Sequence, residues 1–276
     1  MRALTYRQVT DILSASGIEN ARGEAALLFE EYCGVSRASL IADADREFDS
    51  AALAEAVEKR RMRVPLQYIL GKWDFFGLTF EVGPHCLCPR ADTEITVEAV
   101  LERLPENASV LELCTGSGCI PVAICSKRRD VTAVSTDLFE ETLAVAKRNA
   151  GRNGVADRIT FVRSDVFVRD LDWADESFDA IVSNPPYIPS KDIDRLSPEV
   201  LQEPRAALDG GEDGLDFYRE ILGYYRRYLK KDGFFALEIG YDQGRELEKL
   251  AASLGMSCLI LKDLEGNERC AICRLK

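Results

Sequence analysis

The sequence predicts an α/β protein in which a doubly wound, mostly parallel sheet follows a small helical region. Three observations carry this. Beyond residue 92, apolar runs of strand length alternate with helical stretches, as parallel strands joined by crossover helices require. The first 60 residues hold helical apolar stripes and no comparable alternation. The 276 residues are 46% apolar and 30% charged, the balance of a chain that buries a core, and long enough for a main domain plus a smaller one.

Taken in order, Ala25, Ala26, Leu27, Leu28, Phe29 and Tyr32 form a helical stripe that stops at Gly34. Ala51, Leu53, Ala54 and Val57 form another, running into Lys59, Arg60 and Arg61, where positive charge suits a helix C-terminus. That basic cluster reads as a solvated helix end rather than a docking patch. Pro65 breaks the pattern, and the aromatic, β-branched stretch 68–82 with Gly71 and Gly77 predicts a hairpin. The expected domains are therefore helices over 1–64, a hairpin linker over 65–88 and the main domain over 89–276. A helix is expected over 92–104. Strands are expected at 110–113, 131–135, 159–162, 178–183 and 234–239, with helices centred near 124, 146 and 222. After a helix at 244–253, runs at 257–262 and 269–275 flank the turn-forming Glu265, Gly266 and Asn267.

Net charge is −12, and residues 1–90 hold 11 basic and 13 acidic side chains, so the acidity belongs to the remainder. A protein gripping phosphates normally has the opposite sign, which argues against sequence-specific nucleic-acid binding. The opening MRALTYRQVT has no apolar stretch behind a basic one, and no run approaches the roughly 18 apolar residues of a span. A cytoplasmic protein with reduced thiols and no membrane contact is expected. The nine cysteines form no framework, and His85 is the single histidine. Cys270 and Cys273 lie in a strand-like run, where residues three apart face opposite ways, so no metal site is expected.

The first strand of the main domain runs into Cys114, Thr115, Gly116, Ser117 and Gly118, with a helix from about Ile120. Small residues between a strand and a helix let a ligand approach the backbone. Pro121 stands where a dinucleotide fingerprint needs its third glycine, so the loop suits a ligand without pyrophosphate. Asp137 ends the next strand, 21 residues after Gly116, and a carboxylate there accepts both ribose hydroxyls. Glu140 leaves a helix cap as Asp137's other reading. Asp165 and Val166 end the third strand and are candidates for a base pocket.

The fourth strand ends in Ser183, Asn184, Pro185, Pro186 and Tyr187. Two prolines fix φ and remove two donors, so nearby carbonyls are left as acceptors. Asn184 adds a side-chain carbonyl, and Tyr187 a flat face. A planar –NH2 is a poor nucleophile because its lone pair is delocalised. If Asn184 Oδ1 and the Pro185 carbonyl each accept one hydrogen, the lone pair is turned toward an electrophile.

This NPPY segment, with the glycine loop upstream, resembles the amino-methyltransferases: the adenine-specific DNA enzymes and the release factor glutamine methyltransferase family. The latter is matched further by Pro65 to Ile69 with Gly71, Pro89 and Arg90 before Asp92 to Glu94, Glu203 to Leu208, Gly214 to Asp216, and Leu237 to Gly240. The resemblance implies a Rossmann-like class I S-adenosylmethionine methyltransferase sheet, closed by a hairpin, with a small N-terminal helical domain that docks the substrate. It implies methylation of the glutamine in the Gly-Gly-Gln motif of peptide chain release factors, with S-adenosylmethionine as co-substrate; a monomer is the default expectation. Asn184, Pro185, Pro186 and Tyr187 carry over as the glutamine-binding and catalytic segment. Cys114, Thr115, Gly116, Ser117, Gly118, Asp137, Val166 and Asn184 carry over as cofactor contacts, with Asp165 beside them. Cys114 stands where the family usually has glycine, and Val166 where many members have an aromatic ring. The polar stretch 188–213 is expected to be a flap near the substrate glutamine. A DNA adenine methyltransferase is the alternative, disfavoured by net charge and by the lack of a basic recognition domain.

Overall fold

The computed structural model describes residues 3–169 and 173–276, which cluster into two compact units. Of the described residues, the first comprises 3–72 with 197–202, the second 73–169, 173–196 and 203–276.

In the first unit, α1 (Tyr6–Ala15), α2 (Ala21–Cys33), α3 (Arg37–Ala42), α4 (Ala51–Arg61) and α5 (Leu66–Leu70) surround Leu13, Leu28, Phe29 and Leu53, all fully buried. Strands β1 (Leu4–Thr5) and β2 (Glu47–Phe48) pair at its edge. Thr5 and Gln8 cap α1 reciprocally, satisfying two orphan donors. Gly34 ends α2 in the left-handed region (φ 65°), the conformation glycine adopts without a Cβ penalty. The basic end of α4 departs from its expected solvation. Arg60 is 5% exposed and pairs with Glu24 at 2.5 Å and Glu199 at 2.8 Å. Lys59 and Arg61 do face solvent, each paired along the helix. Residues 68–70, expected to open a hairpin, are instead the end of α5, which Gly71 terminates at φ 69°.

The second unit begins at Trp73, within hairpin β3 (Lys72–Phe75) and β4 (Leu78–Glu81), turned by Phe76 and Gly77 at φ 53° and 75°, the signature of a primed turn. After α6 (Thr93–Leu101) come β5 (Ser109–Leu113), α7 (Cys119–Lys127), β6 (Thr132–Asp137), α8 (Glu140–Arg152), β7 (Ile159–Arg163), β8 (Phe178–Ser183), α9 (Asp216–Tyr224), β9 (Leu229–Glu238), α10 (Gly244–Ser253), β10 (Met256–Lys262) and β11 (Glu268–Leu275). The sheet order is β10-β11-β9-β8-β5-β6-β7. Strands β5 to β9 are parallel, and β11 and β10 close the edge antiparallel. Two apolar layers cover its faces. One holds Val97, Val110, Val122, Ile124 and Cys270, the other Leu111, Ile181, Tyr218, Phe235 and Cys273. Cys270 and Cys273 thus lie on opposite faces, both buried, as the strand period requires.

Candidate active site

Strand order reverses between β5 and β8, and such a switch point opens a crevice at the carboxyl ends of the strands. Leu113 pairs with Ser183 across it, and Ser183 Oγ donates to Leu113 O at 2.7 Å. The glycine loop and the Asn-Pro-Pro segment therefore begin on adjacent strands, one residue past a paired position. They share a cavity of about 430 Å³, lined by Cys114, Thr115, Gly116, Ser117, Asp137, Asp165, Val166, Asn184 and Pro186 among others.

The loop side is built from backbone. Cys114, Gly116 and Gly118 have φ of 60°, 55° and 78°, so the chain turns sharply and then enters α7. At Gly116 an added Cβ would meet nothing within 4 Å, leaving its backbone open to a ligand. Gly118 does not line the cavity. Its missing side chain admits α8, since a Cβ there would come within 3.0 Å of Ala146 Cβ. Asp137 accepts from Gly116 N at 3.0 Å and Phe139 N at 3.2 Å. Burial raises its carboxyl above the usual range despite those bonds. The cap reading fails, because α8 begins after Phe139 with no side-chain cap. Asp165 takes Phe167 N at 2.9 Å. Beside the buried Val166, the rings of Phe139, Phe167 and Phe217 line the cavity, Phe167 and Phe217 meeting edge to face at 4.8 Å. Sequence reasoning missed these aromatics, although two of them sit two residues past the strand-end aspartates. It also missed Asn149 of α8, which donates to Ser117 O at 2.9 Å and Glu81 O at 3.0 Å and so ties the loop to β4.

The β8 side is built from acceptors. Among the described residues no backbone N–H donates to the Pro185 or Pro186 carbonyl, whereas Ile188 O takes Gly210 N at 2.9 Å and Tyr187 O takes Gln243 Nε2 at 2.9 Å. Asn184 Nδ2 donates to Thr93 Oγ1 at 3.2 Å, leaving Oδ1 for another partner. Pro185 is buried and is not among the residues that line the cavity. Tyr187 packs against the second apolar layer, and burial together with Glu238 raises its phenol. The stretch 188–213 forms short 3₁₀ turns and a bridge between Ile188 and Asp209. It brings Pro204, Ala206, Ala207, Asp209 and Gly211 to the cavity. Glu203 anchors that end by pairing with Arg90 and accepting Cys88 N at 3.0 Å.

Two carboxyls lie buried beneath the strand ends. Glu112 on β5 accepts from Thr115 Oγ1, its Oε1 takes no hydrogen bond from the described residues, and burial pushes it up to about 8. Glu238 ends β9, its Oε2 takes no hydrogen bond from the described residues, and burial pushes it up to about 7.

Residues 5–71 match the PrmC N-terminal domain, and residues 90–215 the methyltransferase small domain. A release factor glutamine methyltransferase from Geobacter sulfurreducens is 40% identical over 274 residues, spanning 96% of this chain and 95% of that protein. This chain belongs to the release factor glutamine methyltransferase family. A second such protein, from Moorella thermoacetica, is 40% identical across 94% of this chain and 93% of its own. A methyltransferase from Pyrococcus furiosus shares the fold, with a TM-score of 0.54 over 72% of this chain and 89% of that one at 22% identity. The resemblance read from the motifs, and the class I sheet expected from it, are borne out. As a member of this methyltransferase family the chain takes S-adenosylmethionine as co-substrate, and the cavity fits such a molecule. Its volume is within the range of small-molecule sites, its glycine loop is open at Gly116, and Asp137 stands among apolar and aromatic walls. No helix among the described residues is long and apolar enough to cross a membrane.

Proposed function

We propose that this chain methylates the side-chain amide nitrogen of a glutamine, that of the Gly-Gly-Gln motif in a peptide chain release factor. The observation that supports it best is the union of the glycine loop with Asn184 and Pro186 in one cavity, beside carbonyls that no backbone N–H occupies. S-adenosylmethionine supplies an electrophilic methyl on a sulfonium. Asp137 accepts the ribose hydroxyls, the residues from Cys114 to Ser117 cradle the remainder while Gly118 lets α8 pack behind them, and Asp165, Val166, Phe139 and Phe167 enclose the adenine.

The chemistry on the protein side is orientation. Asn184 Nδ2 is engaged by Thr93, so Asn184 Oδ1 and the Pro185 carbonyl accept the two amide hydrogens of the substrate. Its lone pair then lies along the line to the methyl group, and the charge developing on nitrogen meets preset dipoles. Pro186 walls the amide. Tyr187 packs beneath the segment and holds its turn. The proton leaves after transfer, so no strongly basic group is needed.

The protein acts as a cytoplasmic monomer without a metal, the helical residues 1–64 docking the release factor and 89–276 forming the catalytic domain. Family membership and the acidic net charge both disfavour adenine in DNA as the acceptor. Incubation with methyl-labelled cofactor and either release factor or duplex DNA separates the readings. Label in the release factor alone is expected, and label in DNA alone overturns the proposal. Turnover undiminished by a chelator tests the metal-free assignment.

A further inference from the structure

Three carbonyls follow the tip of β8 and Asn184, those of Pro185, Pro186 and Tyr187, and the chemistry above uses one of them. Residues far along the chain decide which one is open. Gln243 stands just before α10 and is 8% exposed. Its Nε2 donates to Tyr187 O at 2.9 Å and to Gly214 O at 3.3 Å, and its Oε1 accepts Gly240 N at 2.9 Å. Both hydrogens and the oxygen of this buried amide are therefore engaged, the condition under which a polar network rigidifies its surroundings. Gln243 is not among the residues that line the cavity. A glycine turn supports it from the other side. A Cβ added to Gly210 would lie 2.7 Å from Tyr187 Cα and 2.9 Å from Pro186 O. One added to Gly214 would run into Tyr187 O and lie 2.8 Å from Gln243 Nε2. A side chain fits at neither place, so the turn lays its backbone directly on Pro186 and Tyr187. Gly210 N donates to Ile188 O at 2.9 Å and Ile188 N to Leu208 O at 3.0 Å, which holds the turn there.

We propose that Gln243, backed by the glycine turn at 210–214, is a positioning residue that selects the Pro185 carbonyl as the backbone acceptor for the substrate amide. The inference rests on the function proposed above and names what prepares that site. Tyr187 O is taken by Gln243, and Pro186 O is covered by Gly210. The Pro185 carbonyl is the one left, and no backbone N–H among the described residues donates to it. Without the Gln243 donor, the part-buried Tyr187 carbonyl loses its partner, which is costly, and its peptide turns to find another. The two prolines fix φ and leave few torsions to absorb that turn. It is passed up the segment to Pro185 and Asn184, whose acceptors must stay aligned for transfer. One amide behind the wall thus holds the acceptor fork in register.

Kinetics on the full chain with release factor and S-adenosylmethionine test this through two substitutions. Gln243→Glu keeps the length and the acceptor for Gly240 but, when ionised, offers Tyr187 O no hydrogen. Its kcat at about pH 8 is expected to be about tenfold below wild type, with cofactor Kd within about twofold, since a lost hydrogen bond carries about that factor. As pH drops toward about 6, the introduced carboxyl, buried and so easily protonated, regains a hydrogen for Tyr187 O. The ratio of its kcat to the wild-type value is then expected to rise several-fold, and taking that ratio at each pH cancels the titrations the two proteins share. Gln243→Leu offers no hydrogen at any pH, so its kcat is expected to be at least as low, in a ratio that stays flat. A role in packing alone would not separate the two variants by pH. A flat ratio in Gln243→Glu overturns the proposal, as does a Gln243→Leu protein that turns over within about twofold of wild type. If Gln243→Leu does not fold, as lost cofactor binding reports, the pH course of Gln243→Glu decides alone. Asn184→Ala keeps the two claims apart. Loss of turnover there with wild-type behaviour in both Gln243 variants sinks only the positioning role, whereas surviving turnover sinks the reaction reading itself.

Discussion

The tips of β5 and β8 lie side by side yet solve opposite problems. After β5 the chain uses positive φ at Cys114, Gly116 and Gly118 to bend back and present backbone to a ligand. After β8 two prolines forbid that freedom, delete donors and leave carbonyls to which no backbone N–H among the described residues donates. One tip is a flexible-residue cradle and the other a rigid acceptor fork. On the proposed reading the contrast makes binding and chemistry separable at this edge: the cradle would set cofactor affinity, and the fork the rate of transfer.

The largest test of that separation is Asn184→Ala. Removing the fork's side-chain acceptor is expected to lower kcat by about 10²–10³-fold, the cost of deleting one preorganised hydrogen-bonding group, while cofactor Kd by calorimetry changes less than about threefold. The reverse pattern is expected of Asp137→Ala. Losing a charged acceptor costs about 1.5–3 kcal/mol, so cofactor Kd rises at least tenfold, and kcat at saturating cofactor stays within a few-fold. Equal effects of both substitutions on both constants would erase the distinction between the tips.

A smaller effect concerns the ground under the cradle. Glu112 is pushed up to about 8 by burial, far above its value in an unfolded chain. The folded protein therefore holds this proton longer than the unfolded one. Stability from this group is complete below about 4.3, the unfolded value, and is lost as pH rises through 8. Glu112→Gln keeps an acceptor for Thr115 and removes the charge. Its melting temperature is expected to gain on wild type as pH rises from 5 to 9, and a constant difference across that window would contradict the assignment. The smallest effect is at Cys114. A non-glycine residue at φ 60° costs roughly 1–2 kcal/mol, so Cys114→Gly is expected to recover up to about 1 kcal/mol after the entropy that glycine loses on folding, measured by urea denaturation. Destabilisation instead would mean that the packing of the half-buried thiol outweighs the strain.

How legible each tip was in the sequence follows from its chemistry. The parallel strands announce themselves as apolar runs because both faces are covered, and Pro185 with Pro186 is visible as a local constraint. Strand β9 begins five residues before its apolar run, at Leu229, because Lys230, Lys231 and Asp232 hide its start. Helix α5 was hidden by the β-like residues Tyr68 and Ile69, which tertiary packing overrides. In the site, Asp137 and Asn184 end strands and could be found by position. Thr93, Asn149 and Glu203 could not, because their partners lie tens of residues away and only folding brings them together. Arg60 was misjudged for the same reason. Three adjacent charges look solvated until the helix turns one of them toward Glu24 and Glu199. Gly118 shows the converse, a motif residue whose small size serves packing against Ala146 rather than a ligand.

The most direct measurement is a mass spectrum of the release factor's Gly-Gly-Gln peptide after incubation with this protein and S-adenosylmethionine. The account predicts one added methyl group, located by fragmentation on the glutamine side-chain nitrogen and absent with Asn184→Ala. An unmodified glutamine with the wild-type protein, or a methyl group that survives loss of Asn184, would contradict it.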